Sequence, residues 1–256
     1  MDEAKALHQM NPQSRFSSRA EDYAKYRPSY SEDTINCIVA DLDNVAELVA
    51  VDVGAGTGIS SRLLADKGIK VLAVEPNAAM RQQAKEHYLV EFRDGSAENT
   101  GLADSSVDLV TCFQSFHWFD PEPTLKEFAR ILKPKGRLAA VWHNRDRTDE
   151  FTREYSILTK KASHNRSELR QGTERYLNNI AGFASVRHLV FPYQQALTCW
   201  GLVGRAMSTS YIPKEGAECD RIIRDLKQLH QKYTNHQGLV DLQYQTSVYL
   251  TQLLDF

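Results

Sequence analysis

The fold is decided by one short stretch, Asp52-Val53-Gly54-Ala55-Gly56-Thr57-Gly58, which stands between an apolar run and an amphipathic one. The preceding run, Leu48 to Val53, is short and rich in valine, as buried strands are. The following run, Ile59 to Lys67, spaces its apolar residues as a helix does, and Gly68 ends it. Glycines let the backbone turn tightly and let a ligand approach it closely, while the helix start offers unpaired N–H groups. The stretch therefore predicts a strand, a ligand-binding loop and a helix.

Apolar segments and helical segments continue to alternate outward from this unit as far as residue 143. The further predicted strands are Lys70–Val74, Leu89–Phe92, Val107–Phe113 and Arg137–His143. One helix is predicted from the capping residue Asn77 to about Tyr88, and another over residues 122–132, with Pro134 and Gly136 beyond its end. Strands that are almost continuously apolar are buried on both faces, with helices as the connections. The pattern predicts an α/β fold with a doubly wound, mostly parallel, Rossmann-like sheet.

The pattern changes after Asn144. Residues 145–180 are charged and helical, residues 186–197 have the composition of a strand, and residues 199–236 are typical of a helix, a loop and a helix. Residues 239–253 alternate polar and apolar side chains, which favours an antiparallel strand. We predict seven strands in the order 3-2-1-4-5-7-6, the last one antiparallel. The predicted parts are a helical lid segment at 1–34, a ligand-binding core at 35–144, and a C-terminal part of the same domain at 145–256 with helical substrate-cap inserts at about 145–180 and 199–236.

Composition indicates an ordinary globular chain of 256 residues with a net charge of -2. A charge near zero gives no broad electrostatic reason to bind nucleic acid or an anionic membrane. Residues 1–18 lack the apolar segment of a secretory signal, and no uncharged apolar run approaches the roughly 20 residues that span a bilayer. The cysteines are scattered, at Cys37, Cys112, Cys199 and Cys219, which favours reduced thiols. We expect a cytoplasmic protein without a nucleic-acid or membrane partner.

An acidic residue follows the glycine stretch at a distance that favours nucleoside binding. Glu75 ends the second predicted strand, 21 residues beyond Gly54. A carboxylate there can accept hydrogen bonds from both hydroxyls of a ribose. This arrangement is compatible with NAD and with S-adenosylmethionine, and the alternative is a merely solvated acid at a strand end. A dinucleotide loop has the spacing G-x-G-x-x-G, whereas here the third glycine, Gly58, comes one position early.

Two further segments add to the pattern of the glycine stretch and Glu75, namely Gly95-Ser96-Ala97-Glu98 and Val107-Asp108-Leu109-Val110. Together they resemble the class I, seven-stranded S-adenosylmethionine-dependent methyltransferases over about residues 45 to 143. Gln114 to Asp120 and the leading segment Phe16 to Pro28 resemble the branch of trans-aconitate methyltransferase-like (methyltransferase type 11) enzymes. The last hundred residues match that branch in outline only.

The resemblance implies a role for each matched position. The loop would hold the methionine half of S-adenosylmethionine, Glu75 the ribose hydroxyls, and the segment from Gly95 to Glu98 the adenine, with Ser96 near the exocyclic amine and Ala97 using its backbone N–H. Many relatives carry Asp where this chain has Ser96, so the cofactor affinity is expected to be modest. The implied cofactor-binding residues are Tyr26, Arg27, Asp52, Gly54, Gly56, Thr57, Gly58, Glu75, Pro76, Met80, Gly95, Ser96, Ala97, Glu98, Gln114 and Ser115. Arg27 would pair with the methionine carboxylate, and the leading segment is either a lid or a helix packed on the core.

The candidate catalytic residue is His117, whose ordinary pKa suits a general base at neutral pH. It is equally a candidate substrate ligand, or a structural residue packed beside Trp118. His143 is the second candidate. Trp118 could wall the crevice beside His117, whereas Trp200 and Tyr211 could line the acceptor pocket or could be core residues of the inserts.

We predict an S-adenosylmethionine-dependent methyltransferase that acts on a small molecule, with a carboxylate or hydroxyl oxygen favoured as acceptor. No triad, metal site or reactive cysteine is expected, because an activated methyl group needs alignment more than it needs acid–base chemistry. The alternatives are an NAD-dependent oxidoreductase and a non-catalytic, regulatory member of the fold that binds the cofactor. A nucleic-acid methyltransferase is disfavoured, because Gln114-Ser115-Phe116-His117 stands where such enzymes carry an N/D-P-P-Y/F/W motif.

Overall fold

A computed structural model describes residues 7–9, 16–164, 173–177 and 180–255. Its centre is one seven-stranded sheet with the order β3-β2-β1-β4-β5-β7-β6, which confirms the predicted order. The strands are Val49–Val53 (β1), Lys70–Val74 (β2), Val90–Arg93 (β3), Val107–Phe113 (β4), Leu132–Arg145 (β5), Arg187–Leu197 (β6) and Val240–Gln252 (β7). The helices are Ala20–Tyr26 (α1), Glu32–Val39 (α2), Ile59–Ala65 (α3), Ala78–Gln82 (α4), Pro121–Ile131 (α5), Glu150–Ala162 (α6), Cys199–Met207 (α7) and Ala217–Tyr233 (α8).

The buried strands at the centre of the sheet pair in parallel, and the last strand along the chain pairs antiparallel. β1 is parallel to β2 and β4, β2 to β3, and β4 to β5, and β1 and β4 are buried along most of their length. β7 runs antiparallel to both β5 and β6, as the alternation in its sequence predicts. The carboxyl ends of β1, β2 and β4 therefore lie side by side, where a doubly wound sheet opens a crevice.

Apolar side chains cover both faces of the sheet because successive strand residues point to opposite sides. Val51 and Val110 pack with Phe128 of α5 in one cluster. Ala50 and Leu109, their sequence neighbours, pack in a second cluster with residues of α2 and α3. A third cluster joins α6, α7 and α8 to β7. The two clusters on the sheet hold β1 and β4 rigidly, and the third holds the C-terminal helices against the last strand.

Two predicted elements differ from the structure. The helix that begins after Asn77 ends at Gln82 and does not reach Tyr88, which is 90% exposed. The segment between these residues is polar and offers no apolar face to bury, so packing does not extend the helix. β5 begins at Leu132, well before the predicted Arg137, and runs through Pro134 to Arg145 with a register shift opposite Val107 to Leu109.

The two predicted inserts contain helices in their described parts. α6 and a 3-10 turn at Thr173–Leu177 lie within 145–180, whereas residues 165–172 and 178–179 of that insert lie outside the described residues. α7 and α8, joined by a loop, occupy 199–236. Among the described residues, no helix combines the length and the apolar character that crossing a bilayer requires.

Candidate functional site

Two adjoining cavities open at the carboxyl ends of the central strands. We call them the glycine-loop cavity, of about 590 Å³, and the arginine cavity, of about 350 Å³. The first is lined by the loop after β1 and by Glu75, and the second by several arginines from other elements. Both volumes suit small-molecule ligands. The residues that line both cavities are Phe16, Tyr23, Gly54, Gln114 and Trp118.

The loop after β1 has a backbone path that requires glycine. Gly54 has φ +68°, and a Cβ added to it would lie 2.6 Å from the Cβ of Ser115. Gly58 has φ +71°, and its added Cβ would lie 2.7 Å from the ring of Phe92. Both φ values are in the left-handed region, which residues with a side chain rarely adopt. The backbone of the loop therefore passes within contact distance of the segment after β4, and only glycine permits this.

Asp52 supports this loop from behind and lines neither cavity among the described residues. Its carboxylate accepts hydrogen bonds from the hydroxyls of Ser60 at 2.6 Å, Ser61 at 2.7 Å and Thr111 at 3.0 Å. Burial raises the pKa of Asp52, and the three hydroxyl donors oppose that rise. Asp52 thus ties β1 to α3 and β4. Thr57 and Gly58 are also buried and line neither cavity, so these three predicted residues are placed to shape the loop.

Glu75 is the acidic group of the glycine-loop cavity. Its Oε2 accepts a hydrogen bond from the Gly56 N–H at 2.8 Å, and its Oε1 accepts one from the Asn77 N–H at 2.9 Å. Burial raises the pKa of Glu75, while these two backbone donors oppose the rise. A carboxylate has about four lone-pair sites, so acceptor capacity remains for two further donors. The residue both holds the loop and offers acceptor oxygens to a ligand.

The remaining wall of the glycine-loop cavity contains most of the other predicted cofactor contacts. These lining residues are Gly54, Gly56, Pro76, Met80, Ser96, Ala97, Glu98, Gln114 and Ser115. Gln114 has φ +55°, an uncommon value for a residue with a side chain, and stands where the two cavities meet. Gly95 lies behind this wall, where an added Cβ would approach Val74 at 3.1 Å. Phe119 and Asp120, which end the segment that resembles the methyltransferase type 11 branch, also line the cavity.

The arginine cavity is the feature that sequence reasoning missed. Its cationic lining residues are Arg27, Arg145, Arg147, Lys160 and Arg205, and no aspartate or glutamate lines it within the described ranges. The sequence did carry two signals. Arg145 directly follows His143 and Asn144 at the carboxyl end of β5, and Arg205 is the single charged residue in the apolar helix α7.

His117 lies in the wall of the arginine cavity, 9% exposed. Its Nδ1 is 3.2 Å from the indole nitrogen of Trp142. An indole N–H can only donate, so Nδ1 carries the lone pair and the neutral ring carries its proton on Nε2. The neutral imidazole can therefore donate a hydrogen bond from Nε2, whereas its basic nitrogen, Nδ1, already accepts one from Trp142.

His143 also lines the arginine cavity, but its two ring nitrogens are engaged with the protein. Nε2 donates to the carbonyl of Ser29 at 2.9 Å, and Nδ1 lies 2.8 Å from the hydroxyl of Thr246. The ring stacks on Tyr30 with centroids 4.4 Å apart. His143 therefore joins β5 to β7 and to the segment before α2, and its predicted role in binding substrate stays a prediction.

The predicted aromatic contacts divide into two groups. Trp118 stacks on Tyr211 with ring centroids 6.1 Å apart, and both line the arginine cavity. Trp200 lies outside both cavities, 64% exposed, with Lys227 over its ring, which corrects the predicted substrate contact. Tyr26 packs its ring against Gly204 of α7 and lines neither cavity, so its place is structural and the predicted cofactor contact is corrected. Arg27 lines the arginine cavity and not the glycine-loop cavity.

Comparisons with known proteins agree with this architecture. Residues 51–140 match the family model of a methyltransferase domain. An uncharacterized methyltransferase-like protein of Schizosaccharomyces pombe is 29% identical over 244 residues, which cover 93% of this chain and 94% of that protein. The structure of a putative type II methyltransferase from Anaeromyxobacter dehalogenans has a TM-score of 0.61 at 20% identity, covering 90% of this chain and 100% of that one.

A second solved structure shows the same fold with ligands. Phosphoethanolamine N-methyltransferase 2 of Haemonchus contortus, in complex with phosphomonomethylethanolamine and S-adenosylhomocysteine, has a TM-score of 0.52 at 13% identity. The similarity covers 98% of this chain and 61% of that one. At this identity the similarity concerns the fold.

Proposed function

We propose that this chain, whose residues 51–140 match the family model of a methyltransferase domain, transfers a methyl group from S-adenosylmethionine to a small molecule. The observation that carries the proposal is the glycine-loop cavity, in which the buried carboxylate of Glu75 shares one wall with Gly54, where an added Cβ would lie 2.6 Å from Ser115. The fold neighbour from Haemonchus contortus binds S-adenosylhomocysteine, the demethylated form of this cofactor, which supports the choice of cofactor.

The residues of the glycine-loop cavity fit that cofactor. Glu75 keeps acceptor capacity for the two ribose hydroxyls, since its backbone donors use only part of its lone pairs. Gly54 and Gly56 have no side chains, which leaves space next to the loop. A Cβ added to Gly56 would lie 3.2 Å from Met80, which lines the same cavity. Ser96 and Ala97 line the same cavity and are the residues assigned to the adenine.

When bound, S-adenosylmethionine supplies a methyl group on a sulfonium, which is already activated for in-line displacement. The chain has to align the acceptor with that methyl group and exclude water, and positioning alone can contribute roughly 7–11 kcal/mol. Phe16, Tyr23 and Trp118 line both cavities and form an aromatic wall where they meet. We assign the acceptor to the arginine cavity, because it adjoins the glycine-loop cavity and shares this wall.

His117 acts on the acceptor as a hydrogen-bond donor in this scheme. Its Nδ1 is committed to the Trp142 indole, so the neutral ring has no second lone pair with which to accept a proton. An oxygen acceptor that reaches the site already ionised, such as a carboxylate, needs no base. The geometry of His117 therefore favours an anionic oxygen as the methyl acceptor over an amine.

The proposal is tested by a methyl-transfer screen with cofactor labelled in its methyl group. The panel contains small carboxylates, phenols and amines, with NAD reduction measured in parallel. Label transferred to an oxygen acceptor by the wild type and lost in Glu75→Ala supports the proposal. Binding of S-adenosylmethionine with no transfer to any acceptor class would instead favour a non-catalytic, cofactor-binding member of the fold, and reduction of NAD would favour an oxidoreductase.

A further inference from the structure

The arginine cavity carries a strong excess of positive charge. Five cationic side chains line it, and no carboxylate does so within the part of the chain that the structure describes. The whole chain has a net charge of -2, so this excess is local to the cavity. Arg147 is exposed and Lys160 is half-buried. The positive charge that is shielded from water is therefore that of the three arginines Arg27, Arg145 and Arg205. An uncompensated charge that is shielded from water is costly unless a partner of opposite sign arrives. A cavity of this kind is built to receive an anion.

Arg205 is the most deeply placed of these cations. It is 6% exposed, and its Nε donates to the hydroxyl of Tyr244 at 3.2 Å. Its Nη1 is buried and has no hydrogen-bond partner among the described residues. A guanidinium normally satisfies its donors when buried. Arg205 lies in helix α7 and lines the cavity, and it therefore retains one unused donor on its guanidinium.

Arg145 provides a second cation from the end of β5. Its guanidinium donates to the Thr159 hydroxyl at 2.6 Å and lies over the ring of Tyr155, 4.5 Å from the centroid. Both partners are neutral, so they orient the guanidinium and leave its charge uncompensated. Burial lowers the pKa of Arg145, the neighbouring Tyr155 opposes that change, and the charge of Arg205 adds to it. Hydroxyl and ring contacts thus hold the two arginines, whose like charges oppose each other.

Arg27 is held in the same way, but the family resemblance assigns it to the methionine carboxylate of the cofactor. It donates to the Ser208 carbonyl at 3.1 Å and lies over the Tyr23 ring. Burial and the charge of Arg205 lower the pKa of Arg27 to about 10, so it stays charged at neutral pH. Even when Arg27 is assigned to the cofactor, Arg145 and Arg205 remain without an anionic partner among the described residues.

We propose that Arg145 and Arg205 form an anion-binding subsite that holds a carboxylate or phosphate group of the methyl acceptor, and so restrict the acceptor to small anionic molecules. This inference rests on the proposed function for the identity of the ligand as acceptor. Arginine suits the role because its planar guanidinium binds either oxyanion in a bidentate manner. The neutral contacts of both residues fix their orientation before the anion binds.

The experiment measures anion binding to the protein saturated with S-adenosylhomocysteine, at constant ionic strength. The probes are succinate, inorganic phosphate and the uncharged dimethyl succinate, followed by calorimetry and by the shift in Tm. The variants are Arg205→Met and Arg145→Met, which keep most of the side-chain bulk and remove the charge. Arg221→Met is the matched control, because Arg221 is exposed on α8 and lines neither cavity.

We expect succinate or phosphate to bind the wild type and the control, and dimethyl succinate not to bind. The anion that binds distinguishes a carboxylate acceptor from a phosphorylated one. Each charge-removing variant should weaken anion binding at least tenfold and change the affinity for S-adenosylhomocysteine less than threefold. Removing an unpaired buried charge should also leave Tm equal to that of the wild type or higher.

The proposal is overturned if dimethyl succinate binds as well as succinate, if neither anion binds, or if both variants retain wild-type anion affinity. A purely structural role of the two arginines predicts a lower Tm with unchanged anion binding. If Arg205→Met does not fold, Arg145→Met and the more conservative Arg205→Lys carry the test. Anion binding that depends on Arg205 in a protein without affinity for S-adenosylhomocysteine would contradict the proposed function and leave the anion subsite standing.

Discussion

Replacing Glu75 with alanine should remove cofactor binding while leaving the protein folded. The carboxylate is assigned two hydrogen bonds to ribose hydroxyls, and a hydrogen bond to a charged group contributes about 1.5–3 kcal/mol. Loss of both hydrogen bonds costs ~3–6 kcal/mol of binding free energy, which corresponds to a roughly 10²- to 10⁴-fold larger dissociation constant. The backbone N–H groups of Gly56 and Asn77 also lose their acceptor, which destabilises the folded variant. In the other direction, the variant no longer has to bury a carboxylate, and the raised pKa of Glu75 shows that this burial disfavours its charged form. These opposing effects on stability are why we expect a folded protein at 25 °C.

The assay is calorimetry with S-adenosylmethionine, beside circular dichroism of each variant. Glu86→Ala is the control, because Glu86 is exposed in the loop beyond α4 and lines neither cavity. The pH dependence gives an independent measurement. Since the folded-state pKa of Glu75 is raised, its protonation begins at a higher pH than for a solvated glutamate, and affinity should fall as the pH falls through that value. Glu75→Gln should not show this dependence. An unchanged dissociation constant in the folded Glu75→Ala variant would refute the assignment.

Three further predictions test the site by substitution. Gly54→Ala should abolish binding of S-adenosylhomocysteine and should lower Tm further than the control Gly101→Ala. Both glycines have a positive φ, but only at Gly54 does the added Cβ meet other atoms. Equal effects of the two substitutions on Tm would refute the crowding at Gly54. His117→Ala should raise the Michaelis constant for the acceptor by roughly 10- to 100-fold with a smaller change in kcat. Trp142→Phe should change both constants in the same direction. A kcat lowered by roughly 10²–10⁴ at constant Michaelis constant would instead identify His117 as a base. Trp200→Ala should leave cofactor affinity and turnover within about twofold of the wild type, since an exposed residue outside both cavities contributes little; a selective loss of acceptor binding in steady-state kinetics would contradict its placement.

The core of the fold could be predicted from the sequence because local pattern and tertiary burial agree there. β2 and β4 have the predicted bounds, and the antiparallel β7 follows the alternation of its side chains. The prediction failed where tertiary contacts decide. The register of β5 beyond Pro134 is set by its pairing with β4, and the end of the helix after Asn77 is set by the lack of a packing partner.

The glycine-loop side of the site could be located from local motifs, whereas the arginine cavity could not. Motifs report residues that lie close in sequence, such as Gly54 and Gly56, together with one acid at a fixed distance. The arginine cavity is assembled from the segment after α1, the end of β5 and the middle of α7, and no spacing links Arg27, Arg145 and Arg205. The engagement of His143 with Ser29 and Thr246 is equally invisible in the sequence, since its partners lie 114 and 103 residues away.

We attribute the binding of S-adenosylmethionine to the glycine-loop cavity and to the carboxylate of Glu75 within it. The decisive measurement is equilibrium binding of S-adenosylmethionine, S-adenosylhomocysteine and NAD to the wild-type protein and to Glu75→Ala. We expect saturable binding of both adenosyl compounds at one site per chain, no binding of NAD, and loss of the site in the variant. Binding of NAD, or adenosyl binding that is indifferent to the loss of the Glu75 carboxylate, would contradict this attribution.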